Sequence, residues 1–172
     1  MKKNWKIQYF SEIKPEELKK DFLDLTASFL IDNSILPSEE MYPGISDWFD
    51  KKVKSEVSNN PKEREILLVT TKEHNRLKII AILILKNKNG EKKICTIRVD
   101  EKYRKQGIGN ALFDKAFKYL DTDSPLITVS EECDPSLKKL LKKYNFKQTS
   151  KKKNLYREGK LEYFYNEHIT ID

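Results

Sequence analysis

Residues 94–109 read Ile94-Cys95-Thr96-Ile97-Arg98-Val99-Asp100-Glu101-Lys102-Tyr103-Arg104-Lys105-Gln106-Gly107-Ile108-Gly109, and an amphipathic pattern continues to Leu120. The first six residues are a short apolar strand. From Gly107 onward, Ile108, Leu112, Ala116, Phe117 and Leu120 fall on one helical stripe. Two glycines at the mouth of a helix let the backbone approach a ligand closely. The first-turn N–H groups lack intrahelical acceptors and face whatever anion sits there. With Arg104 and Lys105 alongside, the stretch is suited to hold a pyrophosphate.

Spacing separates the known phosphate loops. A P-loop ends in Gly-Lys-Ser or Gly-Lys-Thr, whereas Asn110 and Ala111 follow Gly109. A dinucleotide fingerprint wants Gly or Ala where Leu112 stands, and a parallel unit that the chain before Ile94 does not supply. The pattern Val99-x-x-x-Tyr103-Arg104-x-x-Gly107-Ile108-Gly109-x-x-Leu112 resembles the acetyl-CoA loop of the GNAT superfamily of N-acetyltransferases.

The flanking chain reads as alternating elements. Lys6 to Phe10 predicts a strand, Pro15 to Leu30 a helix carrying Leu18, Phe22, Leu25 and Phe29 on one face, and Ile45 to about Val57 a second helix. Asp32 to Gly44, with Pro37, Pro43 and Gly44, reads as a long loop. Glu65 to Thr71, Lys78 to Leu85 and Lys93 to Val99 predict an antiparallel meander, with Asn89-Gly90 as its second hairpin turn. Leu77 to Leu85 is apolar nearly throughout, as in a strand covered on both faces. After the helix ending at Leu120 come a strand at Leu126 to Val129, a helix opened by Pro135, and a strand pair turning at Glu158-Gly159. This order matches the GNAT order over almost the whole chain. The resemblance therefore implies an α/β (α+β) fold: one domain over residues 1–172, a mixed, largely antiparallel sheet of about six to seven strands, about four helices, and a splayed cleft between strands four and five.

Composition bounds the function. With 38% hydrophobic and 35% charged residues, the apolar positions come in periodic blocks, which argues for a folded core. The apolar run from Ile79 to Leu85 is too short to span a bilayer, and the start of the chain has no apolar stretch, so the expectation is a soluble cytoplasmic protein without membrane contact. Cys95 and Cys133 form no Cys-x-x-Cys and have no neighbouring histidine, so no disulfide framework or metal site is expected. His74 and His168 receive no role. The net charge of +7 is uneven: from Leu137 to Lys160 stand nine lysines and Arg157 against Glu158 alone. That segment is read as solvated surface, as an attractor for the CoA 3′-phosphate, or as a contact for an anionic acceptor such as tRNA. Lysine rather than arginine dominates it, which weighs against bidentate phosphate reading.

The resemblance implies roles residue by residue. Ile97, Arg98 and Val99 would offer backbone groups to the pantetheine arm, as an added strand would. Arg104, Lys105, Gln106, Gly107, Ile108, Gly109, Asn110 and Ala111 would wrap the pyrophosphate of acetyl-CoA, the co-substrate. Met41, Tyr42 and Trp48 are candidates for acceptor contact, with Trp48 and Phe49 also readable as packing. An amine would attack the thioester directly, which requires a base and an acid. The family's usual acid is a tyrosine, and its position, counted back from Phe146, holds Leu141; its frequent Asn is replaced by Asp134. Tyr144 is the nearest phenol, although it continues the apolar stripe. Glu131 is the candidate base, alternatively an acid that favours the start of the following helix. The acceptor is left open among a small amine, a protein amine and aminoacyl-tRNA. The alternatives are a non-catalytic acyl-CoA sensor and a basic RNA-binding protein, the latter lacking the aromatic signature of RNA modules. Monomer and homodimer are both open, since edge strands of the last hairpin could pair between chains.

Overall fold

The computed structural model describes residues 4–32 and 38–167. The strands are β1 (Trp5–Tyr9), β2 (Arg64–Glu73), β3 (Arg76–Lys88), β4 (Glu91–Val99), β5 (Leu126–Ser130), β6 (Gln148–Lys153) and β7 (Leu161–Tyr165). They form one seven-stranded sheet in the order β1-β2-β3-β4-β5-β7-β6. Every neighbouring pair is antiparallel except β4 with β5. The tight turns of the meander lie at His74-Asn75 and Asn89-Gly90, all four with positive φ as a two-residue hairpin loop demands.

The helices are α1 (Leu18–Ile31), the single turn α2 (Ser38–Met41), α3, α4 (Ile108–Leu120) and α5 (Asp134–Lys143). Helix α3 joins an α segment Ile45–Trp48, a π segment Phe49–Val53 and an α segment Lys54–Asn59. Two boundaries differ from expectation. Helix α1 begins at Leu18 rather than Pro15, because Leu18 N–H donates to the Pro15 carbonyl and Lys19 N–H to that of Glu16, closing turns first. The loop expected over Asp32 to Gly44 contains α2, while residues 33–37 lie outside the described residues, as does His168.

Each sheet face buries its own core, since side chains alternate across a strand. On one face Leu67, Val69, Ala81, Leu83 and Leu85 pack against Ile108, Leu112, Phe113, Ala116, Leu120 and Leu141 of α4 and α5. On the other, Ile66, Leu68, Ile82 and Ile84 pack against Phe22, Phe29, Leu30, Ile45, Phe49 and Val53 of α1 and α3. Ile80 through Leu85 are fully buried, so β3 is covered on both sides as its apolar run implies. The final strand pair turns more widely than expected. Residues 154–160 form its loop, with Asn154 Oδ1 accepting from Gly159 N–H at 2.6 Å, and this carries Tyr156 and Arg157 back over the sheet.

Candidate active site

The parallel pair at the centre of the sheet is barely a pair. Strands β4 and β5 are in register only at Lys93 with Leu126 and Ile94 with Ile127, after which they part. The parting coincides with a bulge in β4. Ile94 faces Leu85 and Thr96 faces Ile84, so Cys95 is an extra residue that bends the strand away. Beyond it, Ile97, Arg98 and Val99 pair with β3, past the two residues of β4 that are in register with β5.

A cavity of about 410 Å3 fills the gap. Its walls come from both layers: Ile97, Thr128 and Val129 on the strands with Cys133 and Leu137 at the start of α5, and Tyr42, Ile45 and Trp48 on the other side. Tyr156 closes it from the wide loop, its ring edge-on to Tyr42 at 6.5 Å. The charged walls are Lys52, Arg64, Lys86, Lys93 and Arg98 against Glu91 alone, so this space favours negative charge.

At the C-terminal end of β4 the chain is drawn into a tight path. Asp100 N–H donates to the Ile80 carbonyl at 2.8 Å and its carboxylate accepts from Lys102 N–H at 3.0 Å. Tyr103 then donates its hydroxyl to Glu73, which pushes the phenol up to about 12. Lys105 (φ 61°) and Gly107 (φ 80°) both adopt left-handed backbone before α4 begins at Ile108. Among the described residues, the backbone N–H groups of residues 105–110 find no acceptor in the protein; the helix ladder starts with Ala111 N–H to Gly107 O. The consecutive N–H groups of residues 105–110 at the N-terminus of α4 make a cradle of donors beside the gap, an arrangement chemically suited to an anion.

The two glycines work differently. A Cβ on Gly107 would touch nothing, so that position needs glycine for its backbone angle. A Cβ on Gly109 would lie 3.0 Å from Leu140 Cδ2, so a side chain there presses on the end of Leu140 where α4 meets α5. The contact seats α5 beside the cradle, with Lys143 Nζ donating to Asn110 Oδ1 at 2.6 Å. Lys138, Lys139 and Lys142 stand exposed on the same helix.

The other residues named from sequence fall as follows. Arg98 turns its side chain away from the cradle. Its guanidinium is 4% exposed, donates to the Leu30 and Asp32 carbonyls at the end of α1, and is pulled down to about 10 by burial while staying cationic. Arg104 donates Nε–H to the Val99 carbonyl at 3.3 Å, and Lys105 and Gln106 are exposed. Glu131 is tied to the β7 side: its carboxylate accepts from Leu161 N–H at 3.3 Å and pairs with Lys160 at 3.4 Å. Tyr144 donates to Asp114 Oδ1 at 2.6 Å and to the Asn110 carbonyl at 3.0 Å, its ring packed against Phe113 and Phe117. Burial and Asp114 together raise its pKa. Neither Glu131 nor Tyr144 lines the cavity, whereas Tyr42 and Trp48 do. Leu141 is core, 1% exposed.

A second group of polar residues gathers behind the cavity wall. Tyr42, pushed up to about 12 by burial, lies beside Ser130, and so does Cys133, whose thiol burial also raises. Glu162 on β7 stands opposite Ser130 in the β5–β7 register, 1% exposed, its carboxyl pushed up to about 7 by burial. Arg157, 3.9 Å away, opposes that shift while forming a two-point pair with Glu132 at 3.0 and 2.7 Å. Sequence reading names Ser130 among the polar residues ending the fifth strand but does not join it to Arg157 and Glu162, which only the wide loop and the strand register bring beside it.

The splayed sheet with a helix N-terminus at the mouth of the gap can be set against known proteins. The family profile described as an acetyltransferase (GNAT) domain matches residues 38–160. Solved structures agree in fold. A GNAT-family acetyltransferase from Bacillus cereus superposes with a TM-score of 0.63 at 18% identity, covering 94% of each chain. The ribosomal-protein-S18-alanine N-acetyltransferase from Escherichia coli gives 0.62 at 17% identity, covering 94% of this chain and 91% of its own. A Bacillus anthracis protein assigned as a streptothricin acetyltransferase and solved with acetyl coenzyme A gives 0.51 at 21% identity over 62% of each chain. No curated protein matches the sequence. The chain belongs to the GNAT superfamily and is an N-acetyltransferase, with acetyl-CoA as its acyl donor. No helix among the described residues is long and apolar enough to cross a membrane.

Proposed function

We propose that the whole chain acts as one acetyltransferase unit that binds acetyl-CoA in the β4–β5 gap and passes the acetyl group directly to a primary amine held in the cavity. The observation that carries this is the continuity of the gap, where β4 has parted from β5 after Ile94, with the N–H groups of residues 105–110 at the start of α4. The N–H groups and the α4 dipole would hold the pyrophosphate, with Arg104 and Lys105 adding charge. The backbone of Ile97 to Val99 would pair with the pantetheine amides, which places the thioester in the cavity between β4 and Val129. The exposed lysines of α5 beside the cradle fit the remaining CoA phosphate, giving much of the basic C-terminal third a donor-binding role.

On the acceptor side, Tyr42, Trp48 and Tyr156 offer aromatic contact in a small space with excess positive charge. Those walls disfavour a polycationic amine. They suit an amine that carries an anionic or neutral polar body, a small molecule or the first residues of a peptide. The test is thiol release from acetyl-CoA with a panel comprising an alanine-leading peptide amide, an amino-sugar phosphate and putrescine. The expected order is the first two above putrescine, and Gly107→Val should abolish turnover with all of them. Turnover that survives this substitution contradicts the loop assignment.

A further inference from the structure

Arg64, Lys86 and Lys93 form a row of cations across three neighbouring strands. Arg64 of β2 is the register partner of Lys86 of β3, and Lys86 is the register partner of Lys93 of β4. Register partners share one sheet face, and like charges set directly opposite repel. All three line the cavity. Lys52 of α3 lines it from the layer above.

Two of these charges are answered within the chain. Arg64, 2% exposed, holds Glu56 Oε2 through Nε at 2.8 Å and through Nη2 at 2.7 Å. Its Nη1 donates to Cys95 Sγ at 3.3 Å, and the guanidinium lies 5.8 Å from the centroid of the Trp48 ring. Lys86 pairs with Glu91. Lys93, half-buried, and Lys52, at the exposed rim, make no ion pair among the described residues. The two belong to one end of the cavity. Trp48, Lys52 and Glu56 are spaced by four along α3, which aligns them on one helix face, and both outer members meet Arg64. Lys52 is thereby placed over the same row that ends in Lys93.

This end of the gap is not where the phosphates of the donor belong. Lys93 stands opposite Leu126, where β4 and β5 are still in register, whereas the N–H cradle follows the other end of β4. The six steps from Lys93 to Val99 span about 20 Å of strand. The thioester, placed above between β4 and Val129, falls between the two positive ends. Val129 is three steps along β5 from Leu126, about 10 Å.

We propose that Lys93 and Lys52 bind an anionic group of the acceptor, a carboxylate or a phosphate at the end of a small molecule away from its amine. This rests on the acetyltransferase reading above. The acceptor lies along β4 with its amine at the thioester and its anion at the closed end of the gap, beside the Trp48 ring. The short span between the two sets its size, and a dipeptide or a hexosamine phosphate fills it. Arg64 keeps Trp48 and Cys95 in place as wall, and its own charge is taken up by Glu56.

Thiol release from acetyl-CoA is measured with two matched pairs of amines: glucosamine 6-phosphate beside glucosamine, and alanyl-leucine beside its amide. Wild type, Lys93→Met, Lys93→Glu and Lys52→Met are compared, with acetyl-CoA affinity by calorimetry and melting temperature for each. The wild type should prefer the anionic member of at least one pair by more than about tenfold in kcat/KM, chiefly through KM. The pair that shows it tells phosphate from carboxylate. Lys93→Met and Lys52→Met should each cut the preference about tenfold, the effect of one charged hydrogen bond. Lys93→Glu should reverse it, with acetyl-CoA affinity unchanged. A wild type that binds acetyl-CoA but acetylates neither pair, or shows no preference in either, overturns the assignment. So does a preference that outlives both changes to Met, or a Lys93→Met protein whose acetyl-CoA affinity falls in step, which gives that lysine to the donor. A wild-type protein that binds no acetyl-CoA overturns the acetyltransferase reading itself, and this assignment with it.

Discussion

Gly107 and Gly109 sit two positions apart in different surroundings, so their substitutions should separate. Gly107 holds a left-handed backbone with open space around it, and a β-branched residue there must rebuild the turn that aims the N–H groups. Gly107→Val should weaken acetyl-CoA binding by more than tenfold while the melting temperature falls modestly. Gly109→Val pushes into Leu140 and should instead cost about 1–3 kcal/mol of stability, read as a lower denaturation midpoint. That a glycine stood at each position was visible in the sequence; that Gly109 faces Leu140 of α5 was not, because its partner lies on another helix. Tyr144 separates from Tyr42 in the same manner. Its hydroxyl serves Asp114 and Asn110, so Tyr144→Phe should cost about 1–2 kcal/mol of stability and leave kcat unchanged, as measured by melting and by thiol release.

At the level of elements, the strand and helix order was legible because hydrophobic period reports which face is buried, and that holds for β2, β3, β4, α4 and α5 alike. Three features were hidden because they depend on contacts between distant segments. The Cys95 bulge that turns β4 from β5 is set by register with β3. The π segment of α3 has no pattern of its own, and the wide loop at residues 154–160 is defined by the Asn154 to Gly159 bond rather than by the Glu158-Gly159 pair. Arg98 links two elements that sequence reading treated separately. Its backbone lies in β4 opposite Ile82, beyond the part in register with β5, while its side chain satisfies carbonyls at the end of α1 over the Phe29 ring. Arg98→Met should therefore destabilise the protein by about 2–3 kcal/mol in a denaturant titration, with acetyl-CoA affinity falling less than for Gly107→Val. The edge strand β6 carries exposed Lys151, Lys152 and Lys153, a charge pattern that discourages edge-to-edge pairing.

The whole molecule carries a pH dependence that follows from Glu162. Its folded carboxyl, near 7, lies above the ordinary value of 4.5, so the native state binds the proton more tightly than the unfolded chain. Stability from this group is complete below about pH 4.5 and is lost as pH rises through 7, a difference of about 3 kcal/mol. Glu162→Gln removes that dependence and should melt higher than wild type at pH 8 but not at pH 5; equal shifts at both would show that the carboxyl is not perturbed. The overall charge of +7 resolves into local tasks, since Lys143 is bound to Asn110 and Lys160 to Glu131 and Glu132, while Lys138, Lys139 and Lys142 of α5 are exposed beside the start of α4. The first experiment is a calorimetric titration of acetyl-CoA into the wild-type protein and into Gly107→Val. Saturable binding by the wild type, weakened more than tenfold by the substitution, is the expected result. No binding by the wild type, or equal binding by both, would contradict a donor site built on residues 104–111.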